Sequence, residues 1–225
     1  MLTDRIKSVL EEVKKGNNLG EEILVVGATK TMSVEIINQA IDSGLQIVAE
    51  NKVQEFNAKH DFISPIAKQH FIGHLQTNKV KYLVGKVDLI HSVDSVNLAK
   101  EIDKQAQKKN IKQNILIEIN IGGELSKSGF SYEDAFTNIE NIAGEYKNLN
   151  LLGLMAMLPH TDDEQALEEL CKKMRRLFDE LKVKGFQFKY LSMGMSNDYK
   201  IAIKNGSNMI RLGTTIFGKR NYGDI

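Results

Sequence analysis

Three stretches of this chain hold residues able to do chemistry. The first is Ile23-Leu24-Val25-Val26-Gly27-Ala28-Thr29-Lys30, an apolar run that ends in an amine. A lysine in that position has two readings. Its stem can lie along the apolar run while the ammonium reaches water. Alternatively the amine, made nucleophilic by burial or by a neighbour, attacks a carbonyl and forms a Schiff base. The second and third stretches are Ser192-Met193-Gly194-Met195-Ser196 and Arg211-Leu212-Gly213-Thr214-Thr215. Small and hydroxylated residues that lead into a helix present backbone N–H groups to an anion. The plain alternative is that both are tight turns.

Other reactive residue types carry less. His70 and His74 have the i, i+4 spacing of a zinc pair on a helix. Phe71-Ile72-Gly73 between them reads as a strand ending in a turn, and no glutamate follows His70, so no metal site is expected. His91 and His160 are read as turn or rim residues. Cys171 shares a helical pattern with Leu167, Leu170 and Met174 and is read as core. Lys127 is read as a solvated loop charge, with contact to an incoming phosphate as the alternative. Lys104, Lys108, Lys109 and Lys112 make a solvated helix face without the aromatics of a nucleic-acid site.

The elements that must position these groups alternate regularly. A helix over residues 3–15, with Thr3 as its cap, presents Ile6, Val9, Leu10 and Val13 at helical spacing. The Lys30 stretch is the first strand. Thr31 or Ser33 caps the next helix, and Gly44 sits at its C-terminus. Further short apolar runs follow at 45–49, 69–72, 87–91, 114–120, 151–155, 190–192 and 209–212. Between them lie a helix through Val80 to Val84 and one from Ser95 to about Lys109. Ser131 with Asp134, and Thr161 with Glu164, read as capping boxes for two more. A last helix runs from about Asn197 to Gly206, with Ser196 as N-cap.

Eight apolar runs without period-2 alternation, separated by helices, predict a parallel sheet covered on both faces. Eight βα units favour one closed (β/α)8 TIM barrel with an extra N-terminal helix over an open sheet. No G-x-G-x-x-G follows the first strand. The 225 residues, 42% hydrophobic and 26% charged, contain no Gly/Ser linker, which predicts a single domain over 1–225. Thirty basic and 29 acidic residues give a net charge of +1, which recommends neither nucleic acid nor an anionic membrane. One cysteine excludes an internal disulfide framework. The N-terminus has no secretory h-region, and no run approaches a membrane span, so a cytoplasmic location is expected.

In such a barrel the residues just after each strand form the site. That gathers Lys30, Glu50-Asn51, Gly73-His74, His91-Ser92, Asn120, Met155 and the loops after strands 7 and 8. The loops after strands 7 and 8 are where barrels hold a phosphate. A lysine with a phosphate cradle and an arginine suits a ligand with an aldehyde and a phosphate on one small frame. Pyridoxal 5′-phosphate (PLP) is such a ligand.

Here the chain resembles a known family, the pyridoxal phosphate homeostasis proteins (YggS/PROSC). The matching blocks are residues 25–30, 50–55, 70–79, 126–129, 153–155, 191–196 and 211–218, in order over nearly the whole chain. Ala49, where glycine is expected before Glu50-Asn51, and Gly123-Glu124-Leu125 are small departures. The resemblance implies a barrel of the alanine racemase N-terminal type. It implies that Lys30 holds PLP as an internal aldimine. It also implies that Ser192, Ser196, Gly213 and Thr214, with Met193 in the same loop, bind the phosphate. Asn51 would lie beside the ring and Arg211 would approach the pyridine nitrogen. An always-charged arginine opposes protonation of that nitrogen and weakens PLP as an electron sink.

Two functions remain open at this point. One is a non-catalytic PLP carrier in vitamin B6 and amino-acid homeostasis, with PLP-dependent apo-enzymes as recipients and a monomer as its state. The other is an amino-acid racemase. A racemase needs a second acid/base opposite the lysine, and the tyrosines (82, 132, 146, 190, 199 and 222) offer none, though Tyr199 lies near the phosphate loop.

Overall fold

The computed structural model describes residues 1–218; Tyr222 lies outside them. Among these residues eight strands close into a barrel in chain order, and every pairing is parallel. The strands are β1 (Leu24–Ala28), β2 (Ile47–Glu50), β3 (Lys68–Phe71), β4 (Leu89–Val93), β5 (Gln113–Ile119), β6 (Leu149–Ala156), β7 (Tyr190–Ser192) and β8 (Met209–Leu212). The last strand pairs with the first and completes the ring. The helices are α1 (Leu2–Val13), α2 (Val34–Asp42), α3 (Val53–Lys59), α4 (Val96–Lys108), α5 (Tyr132–Glu145), α6 (Glu164–Val183), α7 (Tyr199–Lys204) and α8 (Thr214–Phe217).

Each strand buries both of its faces, which is why its sequence is a run and not an alternation. Val26, Ile47, Ala49, Leu89, Leu116, Met155 and Met209 form one cluster that fills the barrel. Val25, Val48 and Ile210 alternate with them and pack outward under the helices, as do Ile90 and Ile117. The N-terminal helix α1 adds Ile6, Val9 and Val13 to the outer layer, against Ile37, Ile41 and Ile216. Burying each contributes about 2 kcal/mol. Among the described residues no helix is long and apolar enough to cross a membrane.

Several local expectations need correction. Thr3 is not a cap; it lies inside α1 and its hydroxyl pairs with Ser43 at 2.9 Å. Ser33, and not Thr31, caps α2. The expected helix through residues 80–84 is a short 3-10 turn over Thr77–Tyr82. Asp163 caps α6 by accepting the Ala166 N–H, while Thr161 binds the Asp163 N–H one step earlier. Ser131 caps α5 as expected. β4 runs on to Val93, so His91 and Ser92 stand within a strand instead of after one.

Candidate functional site

The site is built where β1 meets β2 on one side and β8 on the other. Ala28 pairs with Ala49, so Lys30 and Asn51, each two residues further on, come level. Gly27 pairs with Leu212, so Gly213 stands beside Ala28. Lys30 is half-buried. Before it, Thr29 is buried and fixed to β2: its N–H donates to Ala49 O at 2.9 Å and its hydroxyl bonds Ala49 O and Glu50 Oε1 at 3.0 and 2.8 Å. Burial pushes the Glu50 carboxyl up, against the pull of Lys59 and Thr29.

Asn51 is seated by its neighbour just after β3. A Cβ on Gly73 would fall 2.0 Å from Asn51 O, so only glycine permits this approach of the two backbones. Asn51 Oδ1 is buried and without a hydrogen-bond partner among the described residues. An orphaned polar atom at the end of a barrel strand is unusual and marks a place for a ligand.

The loops after β7 and β8 are joined by one hydroxyl. Ser196 Oγ accepts the N–H groups of Gly213 (3.3 Å) and Thr215 (3.2 Å). It is therefore not the N-cap of α7; Asp198 holds that position. Gly194 makes the turn, with φ of 98° and Ala202 Cβ 2.8 Å from where its own Cβ would lie. Thr214 is exposed at the rim. Met193 is fully buried and belongs to the outer core, so its side chain is not at the mouth.

Beneath the mouth a group of buried polar side chains sits beside the apolar filling of the barrel. Arg211 is buried; Nη1 donates to Ser192 O at 2.9 Å and Ser192 Oγ at 2.7 Å, and Nη2 donates to Ala156 O at 2.9 Å. Ser192 is itself fully buried, and its hydroxyl also reaches His91 Nδ1 at 3.2 Å. The structure thus places Ser192 as the seat of the arginine and not on the rim with Ser196. His91 Nε2 meets His70 Nδ1 at 3.0 Å. Far from being a rim residue, His91 has no exposed surface.

The charges order this chain. Burial first, and then the charge of Lys68, lower His70 to about 3. Burial, His70 and Arg211 hold His91 well below its ordinary value. Both rings are neutral at pH 7. Arg211 donates to the Ser192 hydroxyl, and that hydroxyl, His91 and His70 continue as one hydrogen-bonded chain across the barrel. Burial also lowers Arg211, to about 10, against the attraction of Glu118 and Asp198. It raises the Glu118 carboxyl to about 7, helped by Asp94 and opposed by Arg211 and His74.

Lys127 bonds Leu158 O at 3.2 Å and ion-pairs with Glu124, so it is a tethered loop residue and not a solvated one. Tyr199 turns outward and donates to Glu12 on α1 at 3.0 Å. Cys171 is buried in the core as expected, its thiol pushed up to about 12 by burial. Among the described residues no three His, Cys, Asp or Glu side chains gather as a metal site. His74 pairs instead with Asp94 at 3.1 Å. No motif marks Glu118 or Lys59, which lie outside the signals that single residues give. The Glu55–Lys59 i, i+4 spacing is the one local hint.

A closed (β/α)8 barrel with a lysine, an orphaned amide and a set of oxygen-seeking N–H groups at one mouth defines a ligand-binding barrel. The family model for the alanine racemase N-terminal domain matches residues 11–221. The pyridoxal phosphate homeostasis protein of Aquifex aeolicus is 42% identical over 97% of this chain and 95% of its own. PipY of Synechococcus elongatus, in its structure with PLP bound, superposes with a TM-score of 0.86 at 26% identity, over 97% of this chain and 100% of PipY. An alanine racemase of Clostridium difficile superposes at 0.79 with 16% identity, over all of this chain and 57% of its own, which shows a shared fold. The chain belongs to the pyridoxal phosphate homeostasis protein family.

Proposed function

We propose that this barrel binds PLP at its mouth, with the Lys30 amine as covalent anchor, and holds or hands on the cofactor without using it. The observation that carries this reading is the register that sets Lys30 between Asn51 and the Gly213–Thr215 loop. The residues present fit the group. Gly213 and Thr215 N–H groups already converge on an oxygen, and phosphate offers acceptors of the same kind. Ser196, Gly213 and Thr214 are the phosphate ligands in this reading. Asn51, with one end of its amide unpartnered, lies beside the ring. Met193 shapes the loop from behind, and Ser192 acts through Arg211.

Bound PLP supplies an electron sink whose strength depends on a protonated ring nitrogen. Arg211 facing that nitrogen disfavours the proton, because the guanidinium keeps its charge at neutral pH. Three acceptors hold it, so it does not turn aside. Tyr199, tied to α1, is not available as the second base of a racemase. A carrier follows more naturally than a catalyst. In this reading the chain acts as one domain and a monomer, with PLP-dependent apo-enzymes as recipients.

The test is borohydride reduction of the protein after incubation with PLP, followed by peptide mapping. The label is expected on Lys30; a label elsewhere overturns the assignment. Robust racemisation of amino acids by the loaded protein, abolished in Lys30→Ala, overturns the carrier reading.

A further inference from the structure

The backbone that carries Lys30 is held in a conformation its own sequence does not favour. The Met32 N–H donates to Thr29 O at 3.0 Å and closes a four-residue turn. Lys30 is the second residue of that turn and Thr31 the third, with φ of 67°. Glycine or asparagine suits a positive φ at the third position. A β-branched residue there is strained and persists only where its surroundings over-determine it. Packing of the Thr31 side chain does not do so, because Thr31 is exposed.

What holds the turn comes from α3. Glu55 Oε2 accepts the Thr31 N–H at 2.8 Å. Lys59 Nζ, one helical turn on, binds the same oxygen at 3.0 Å, Glu50 Oε1 at 2.8 Å and Thr29 O at 3.4 Å. Thr29 and Thr31, the two neighbours of Lys30, are thereby tied to one ammonium–carboxylate cluster. The Lys59 and Glu50 side chains are only 14% and 7% exposed, so solvent and salt screen the pair weakly. Burial works to raise the Glu55 carboxyl, but the Thr31 N–H and Lys59 outweigh it and hold it below the usual carboxylate range.

We propose that Glu55 and Lys59 are positioning residues for Lys30, latching the strained Thr29–Met32 turn so that the lysine faces its aldehyde ligand. The proposal rests on the PLP reading above. In the step it serves, Lys30 Nζ bonds the aldehyde carbon, and the carbonyl oxygen leaves as water with both amine protons. Without the latch Thr31 relaxes to a common φ, and the Lys30 side chain leaves a different point on the backbone. A left-handed L-residue is disfavoured by about tenfold, so the competent fraction, and with it the rate of Schiff-base formation, falls by about the same factor.

The experiment mixes the full-length protein with PLP and follows Schiff-base formation by absorbance. Pyridoxamine 5′-phosphate, which has the ring and phosphate but no aldehyde, is titrated in parallel. Glu55→Ala and Lys59→Met are expected to slow Schiff-base formation about tenfold while leaving pyridoxamine 5′-phosphate affinity at the wild-type value. Thr31→Gly in the Glu55→Ala background is expected to restore the rate, because glycine takes a positive φ without help. Thr31→Gly alone keeps the latch and should retain the wild-type rate, which separates this effect from misfolding. A wild-type rate in Glu55→Ala, an equal loss for both ligands, or no rescue by Thr31→Gly overturns the proposal while the borohydride label stays on Lys30. A label elsewhere in the wild-type protein overturns the PLP reading, and the latch with it.

Discussion

Glu118 provides a measurement of how dry and how charged the barrel interior is. Its carboxyl is buried, at 3% exposure, and raised to about 7. An unfolded glutamate titrates near 4.5. A folded pKa above the unfolded one means that the native state binds the proton more tightly. The stability tied to that proton is therefore complete below about pH 4.5 and is lost as pH rises through 7. A shift from about 4.5 to about 7 corresponds to roughly 3 kcal/mol in all, most of it falling between pH 5 and pH 8. Glu118→Gln removes this titration and keeps the shape. At pH 5 the carboxyl is neutral beside Arg211, and the pull of Arg211 on the ionised form is already part of that raised value. The informative quantity is the change with pH. Urea unfolding of both proteins at pH 5 and pH 8 is expected to show Glu118→Gln gaining about 2–3 kcal/mol on wild type across the interval. A difference that stays flat would show that Arg211, and not burial, sets the carboxyl, and would refute this account of the interior.

Two further changes probe the mouth. Gly73→Ala puts a methyl group 2.0 Å from Asn51 O; it should cost about 1–3 kcal/mol and weaken PLP binding, so an unchanged melting temperature would refute the contact. Ser196→Ala should weaken PLP binding about tenfold through lost phosphate contacts, yet leave pyridoxal, which lacks the phosphate, bound as before; equal losses for the two ligands would refute its place in the cradle.

The barrel was legible because its strands are apolar runs and α2, α4, α5 and α6 carry side-chain caps. β7 and β8 stand at 190–192 and 209–212 as the sequence indicates. β4 was cut short at His91 because a polar residue reads as the end of a strand. In fact it is a buried ring, satisfied by His70 and Ser192 from other strands. Such partners lie 21 and 101 residues away, and no local pattern announces them. Ser192 looked like Ser196 in sequence, and only register separates the inward hydroxyl from the rim one. The cap of α6 fell to Asp163 and not Thr161 because either can cap, and the chain's entry angle decides. Thr31 gave no sign of its positive φ, since threonine is not a residue that usually adopts one.

The pairing of β1 with β8 has a consequence for how the chain is made. Lys30 stands near the start of the chain and the Gly213–Thr215 loop near its end, and they become neighbours only when the final strand docks against the first. During synthesis the lysine is present long before the loop that faces it. A ligand gripped by both would bridge the seam of the ring and would recognise only finished molecules. It would also resist the loss of the terminal strand, because anything bound to the closed form alone shifts the balance toward closure by mass action. Occupancy of this mouth would thus report that the ring is closed.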